Sequence, residues 1–207
     1  MILASAVLSR VQTILTDASF RRFTQPELLM WLADAWREVL IYKPQAGSVT
    51  AELVISADQW RHALPAAYLR LLDIVSAGGR AVTAATRQQL DQSDRTWRTR
   101  KGTTIRHYVV DEENPREFEV YPVPATAVTA VAVLVPNPPN SVATPETEIP
   151  LDSTCMGPLV DLVVYRALSK DAADTFNAQR ALAHYQAFAN AMGVKIQNNP
   201  LPRAGEK

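Results

Sequence analysis

The hydrophobic period of this chain changes twice, and few folds accommodate both changes. At the start, apolar residues recur three and four apart, as along one face of a helix. Leu3, Val7, Leu8, Val11, Ile14 and Leu15 form a first stripe; Leu28, Leu29, Trp31, Leu32, Ala35, Trp36, Val39 and Leu40 form a second. From about Ser48 the spacing shortens to two: Val49, Ala51, Leu53 and Ile55 alternate with Thr50, Glu52 and Val54, a strand signal. After Pro150 the helical spacing returns with Leu159, Leu162, Val163, Val164, Ala167 and Leu168, then Phe176, Ala181, Tyr185, Phe188 and Met192. Neither helix pair can bury its stripe alone. The expected fold is therefore α+β. Residues 1–46 and 151–193 form a helical bundle, residues 47–150 an inserted β-rich domain, and residues 194–207 an extended C-terminal tail.

Local signals fill in the elements. Thr24 followed by Glu27 reads as a capping box, with Pro26 tolerated in the first turn and Phe23 placed to staple onto Leu28. Pro44 and Gly47 close that helix. Tyr68–Val75 is a second β-leaning run. Ile105–Val110 and Glu117–Tyr121 read as a hairpin joined by the turn at 111–115. Ala127–Val135 is apolar on both faces and reads as a central, buried strand. Prolines at 122, 124, 136, 138 and 139 punctuate these runs. Arg87–Gln92 suits a short helix. Asp152, Ser153 and Thr154 each offer a cap, the last helix is expected from Ala172 to Met192, and Gly193 stops it. The tail carries Pro200 and Pro202 and is polar, so it is expected to be disordered unless a partner orders it.

Composition narrows the functional classes. The 207 residues are 47% hydrophobic and 20% charged, enough to fill a core. Lys+Arg and Asp+Glu are both 21, so the basic excess of a typical nucleic-acid binder is missing. A single cysteine, Cys155, builds neither a disulfide framework nor a thiolate zinc site within one chain, which points to folding in a reducing cytoplasm. No apolar run reaches the ~18 residues that would span a bilayer. The start lacks the basic segment of a signal peptide.

The search for chemistry finds little. His62, His107 and His184 share no metal-ligand spacing and read as packing or surface residues. Cys155 lies at an expected helix start, where a thiol pKa falls, yet with no partner histidine it reads better as a small apolar filler. Gly78–Gly79 is a turn and no phosphate-cradling loop. Glu112–Glu113 and Glu117/Glu119 fall in a turn and on a strand's polar face, where solvation explains them. Trp31 and Trp36 sit on the second stripe, as core or subunit-interface residues do. No catalytic, cofactor-binding or metal-binding residue is expected. The segment Arg95–Arg106 carries Arg95, Arg98, Arg100, Lys101 and Arg106 around Trp97, with no acid among them. Three readings are open for it, in this order: a solvated loop anchored by one buried Trp, a protein contact, and a nucleic-acid module.

Four separated blocks then match a known pattern. Phe23-Thr24-Gln25-Pro26-Glu27-Leu28-Leu29-Met30-Trp31-Leu32-Ala33-Asp34-Ala35-Trp36-Arg37-Glu38-Val39 resembles a conserved-type block of phage adaptor proteins, the head-to-tail connector subunits of tailed bacteriophages. Leu69–Val75 is a second match. His107-Tyr108-Val109 with Phe118–Pro122 is a third. Tyr165–Ala172, continuing into Ala183–Phe188 and Gly193-Val194-Lys195, is the fourth. Together they cover roughly residues 5–195; the basic loop at 95–101 has no counterpart in the pattern. The resemblance implies a helical bundle with a β domain and a non-enzymatic structural role. It implies a dodecameric ring beneath the portal protein, in the virion neck, made in the host cytoplasm and touching no membrane. Such a ring extends the DNA channel, with DNA only as passing cargo, and presents a platform to tail nozzle, tail tube or tail-fibre proteins. Under this reading the tail contacts portal through Val194, Lys195, Ile196, Asn198, Pro200, Leu201 and Arg203. Trp97, Arg95, Arg98, Arg100 and Lys101 form a subunit or tail contact. The alternatives are a nucleic-acid-binding module using 95–106 and an unrecognised tail hydrolase.

Overall fold

The two spacings sort the chain into two units, Met1–Ala46 with the described residues from Pro138 onward, and Gly47–Asn137. The computed structural model describes residues 1–111, 113–170 and 175–194. In chain order its elements begin with β1 (Ile2–Leu3), α1 (Ala4–Leu15) and α2 (Gln25–Tyr42). Next come β2 (Val49–Ile55), β3 (Arg61–Ala63), β4 (Tyr68–Ala77), β5 (Arg80–Ala81) and β6 (Thr83–Ala84). After α3 (Arg87–Ser93) follow β7 (Lys101–Gly102), β8 (His107–Val110), β9 (Glu117–Tyr121), β10 (Val123–Pro124) and β11 (Val128–Pro136). The described chain ends with β12 (Glu148–Ile149), α4 (Met156–Lys170) and α5 (Thr175–Met192). The protein is thus a mixed α+β chain, with five α-helices among the described residues.

In the first unit α4 is apolar on most of its surface because it is surrounded: it packs on α5, α2 and α1. Leu159, Leu162, Val163, Val164, Ala167 and Leu168 of α4 are buried, as are Val7, Leu8 and Val11 of α1 and Leu28, Leu32, Trp36 and Val39 of α2. Trp31 is half-buried, its ring meeting Phe23 edge-on at 6.2 Å. Each fully buried Leu or Val contributes ~1.5–3 kcal/mol, so this seam outweighs the charges beside it. The charges set its register. Arg166 of α4 reaches Asp34 at 3.2 Å and Glu38 at 3.5 Å on α2, and Lys170 reaches Glu27 at 2.7 Å.

Three sequence expectations change here. Helix α1 begins at Ala4, since Ile2 and Leu3 pair instead with Ile149 and Glu148, leaving Leu3 46% exposed. Thr24 makes no side-chain cap, and the Glu27 carboxylate, which a capping box would turn back to the helix start, pairs with Lys170 instead. The α1–α2 turn is held by Asp17, whose carboxylate accepts from the backbone N–H of Arg21, Arg22 and Phe23 at 2.9 Å each. Those donors, Phe23 above all, hold the Asp17 carboxyl below its ordinary range despite opposing desolvation. Phe176, counted in the last stripe, is 64% exposed, whereas Ala181, Phe188 and Met192 are buried. Residues 171–174, where that helix was expected to start, lie outside the described residues. It ends as expected: Gly193 adopts φ +72°, with Gly193 N–H donating to Asn190 and Val194 N–H to Ala189.

The second unit holds two four-stranded sheets, β2-β11-β4-β5 and β3-β9-β8-β6, which bury a common core, and the short parallel pair β7–β10. Strand β11 is central, paired antiparallel with β2 on one side and β4 on the other. Ala130, Ala132 and Leu134 of β11 are buried, while Val131 and Val133 on its other face are half-buried. The expected hairpin is present, with Tyr108 opposite Val120 and His107 opposite Tyr121; Glu112 of its turn lies outside the described residues. Residues 138–150, read from the sequence as β-rich, group with the helical unit, because β12 pairs with β1. Among the described residues no helix is long and apolar enough to cross a membrane.

Candidate functional site

The basic segment owes its position to strand topology. β6 and β8 are parallel neighbours, and parallel strands need a crossover connection. Residues 85–106 are that crossover. It opens with a complete capping box: Thr86 Oγ1 accepts from Gln89 N–H at 3.2 Å and Gln89 Oε1 accepts from Thr86 N–H at 2.9 Å. Helix α3 then presents Leu90 inward, and the chain returns through Trp97.

Trp97 is fully buried, packed with Leu90 and Val109 and against Trp60, Ala85 and Tyr121. Its ring meets Trp60 edge-on at 5.8 Å, and its indole N–H donates to Asp91 Oδ1 at 2.8 Å. It fastens the crossover to the sheet and offers no surface of its own. Arg98 lies over its outer face, with the guanidinium carbon 4.4 Å from the ring centroid.

The acids missing from the segment are supplied from outside it. Arg98 pairs with Asp91 at 2.9 Å, Arg100 with Asp94 at 2.8 Å and Lys101 with Asp58 at 2.6 Å. The indole of Trp97 and then Arg98 lower the Asp91 carboxyl. Arg100, seconded by Thr96, holds Asp94 far below the ordinary carboxylate range. Three of the five cations in 95–106 are thereby paired; Arg95 and Arg106 are exposed and have no acid partner among the described residues. Asp91 and Asp94 are legible as partners from their place just before the run. Asp58 is not, because only the fold brings it there.

Glu119 corrects a sequence reading. It is 3% exposed, and Arg87 of α3 closes over it with Nε 3.0 Å from Oε1. Arg87 also reaches Asp111 at 2.7 Å. The two carboxylates together raise the Arg87 pKa, Glu119 foremost. Glu113 is exposed, as expected for a turn.

The remaining candidates are packing groups. His62 stacks on Phe118 at 5.3 Å with Nε2 3.1 Å from the Gln59 carbonyl, and burial lowers its pKa. His107 stacks on Tyr121 and meets Thr83 Oγ1 at 2.7 Å. His184 contacts Asp161 at 2.8 Å. Cys155 is buried, as its reading as a small apolar filler expects, and that burial pushes its thiol pKa up rather than down. Among the described residues no three His, Cys, Asp or Glu side chains stand together to hold a metal ion. Of the tail residues assigned to portal, Val194 is half-buried at the end of α5. Lys195, Ile196, Asn198, Pro200, Leu201 and Arg203 lie outside the described residues.

No curated protein matches this sequence. A family model does, the one described as SU10 adaptor protein, over residues 3–204, a span that includes all four blocks and the basic crossover between them. The chain belongs to the SU10 adaptor protein family, the phage adaptor class that its sequence motifs resemble.

Proposed function

We propose that this chain is a structural virion protein: a head-to-tail adaptor that forms a ring below the portal, extends the DNA channel and gives the tail its attachment platform. The family match over residues 3–204 carries the reading. In this reading the helices form one bundle into which the β-rich unit is inserted, the ring is dodecameric, and catalysis has no part. Closed rings use a head-to-tail interface that needs two different surfaces per chain, and two units of unlike construction supply them. The C-terminal residues from Val194 are assigned to portal. Arg95, Arg98, Arg100 and Lys101 are assigned to a neighbouring subunit or to the tail, with Trp97 acting from beneath them. A nucleic-acid module in 95–106 has weaker support, since Arg98, Arg100 and Lys101 are already paired with acids of the same unit.

Native mass spectrometry of the purified protein, alone and mixed with its candidate portal ring, tests the proposal. Joining portal as a complete ring is the expected result; a species that ignores portal overturns it. Deleting residues 194–207 is expected to abolish portal binding while the far-ultraviolet circular dichroism stays unchanged. Undiminished binding removes the tail assignment.

A further inference from the structure

Beside the crossover lies a cleft of about 470 Å³ whose lining includes Arg80, Arg100, Lys101, Thr104, Arg106 and Tyr121, and no acid. That volume falls within the ~300–1,000 Å³ range of sites that hold small ligands, room enough for a side-chain carboxylate. Its four cations differ in kind. Arg100 and Lys101 are tied to Asp94 and Asp58 outside the lining. Arg80 and Arg106 have no acid partner among the described residues, and Arg80 spends one N–H on the Thr104 hydroxyl at 3.3 Å. A guanidinium carries five donors, so each arginine keeps a free fork suited to a planar oxyanion. The walls are preset. Arg106 N–H donates to the Tyr121 carbonyl at 2.8 Å, Val123 N–H donates to the Arg100 carbonyl at 2.9 Å, and Gly102 sits directly against Pro122.

We propose that this cleft binds an acidic peptide segment of a partner protein, with a side-chain carboxylate seated between Arg80 and Arg106. The partner's place in the virion rests on the adaptor reading above; the carboxylate chemistry does not. One feature favours a peptide over nucleic acid. A protein tracking a phosphate backbone neutralises a row of charges, whereas only two cations here are unmatched.

The test uses the full chain and fluorescein-labelled hexaglutamate, read by fluorescence anisotropy at low salt. Arg80→Gln and Arg106→Gln are each expected to weaken binding about tenfold, while Arg21→Gln, an exposed cation of the first unit and outside the cleft lining, leaves it unchanged. Arg80 and Arg106 are exposed, so thermal melts of these variants should match the parent. Equal losses in all three variants, or none, overturn the proposal. Tighter binding of a single-stranded oligonucleotide of equal charge, lost in Arg80→Gln, overturns it in favour of nucleic acid. The portal measurement keeps the two readings apart. A parent protein that binds the peptide but ignores portal overturns the adaptor and leaves the cleft supported. A double variant that loses the peptide yet still joins portal supports the cleft as a contact for another partner.

Discussion

Trp97 illustrates how a residue can matter to a surface without being on it. Truncating a fully buried Trp costs ~3–5 kcal/mol through lost burial and the cavity left behind. Trp97→Ala should therefore lower the urea midpoint sharply, and any assembly defect would follow from that. Arg98→Gln is the cleaner probe of a contact, because Arg98 lies outside the packed ring. Gly102 makes a sharper demand. A Cβ there would stand 2.5 Å from Pro122 Cγ, and a proline ring cannot swing aside. Gly102→Ala should cost ~1–3 kcal/mol by overpacking, measurable in the same titration. His62 supplies a pH signature. Its folded pKa is below 6.5 because it is buried. Its contribution is present above the unfolded pKa and is lost as pH falls through the folded one. Melting temperature should drop from pH ~7.5 to ~5.5, and His62→Phe should shrink that drop.

Among elements, the α2–α4 seam links two sequence blocks more than a hundred residues apart. The acids of the first block, Glu27, Asp34 and Glu38, meet Lys170 and Arg166 of the last. These pairs are partly solvated, so each is worth only ~0–1 kcal/mol against the apolar burial beneath. Arg166→Met should cost about 1 kcal/mol, and Leu162→Ala ~2–5 kcal/mol, by chemical denaturation. The α3–β9 contact behaves differently. Arg87→Met strips a buried carboxylate of its partner, and ~1–3 kcal/mol should be lost, less than for a dry pair because Arg87 is 43% exposed. Sequence alternation placed Glu119 on the solvent face. That face is covered by the crossover, which alternation along one strand cannot report.

For the whole molecule, the adaptor reading predicts a ring on portal, checked by native mass, and loss of that ring on deleting residues 194–207. The order of helices, β-rich segment and helices, the central strand β11 and the β8–β9 hairpin were legible in the chain because hydrophobic period is a local property. The family was legible for a related reason: its second block lies within β4 and most of its first within α2, and such local runs keep their pattern wherever they pack. What only the tertiary structure decided is pairing across distance. The pairing of Ile2–Leu3 with Glu148–Ile149, the cover over Glu119, the neutralisation of Lys101 by Asp58 and the cleft between Arg80 and Arg106 all join residues that no spacing rule connects. Charge balance could be counted from the sequence. Which charges remain unmatched depended on where the parallel crossover brought each side chain to rest.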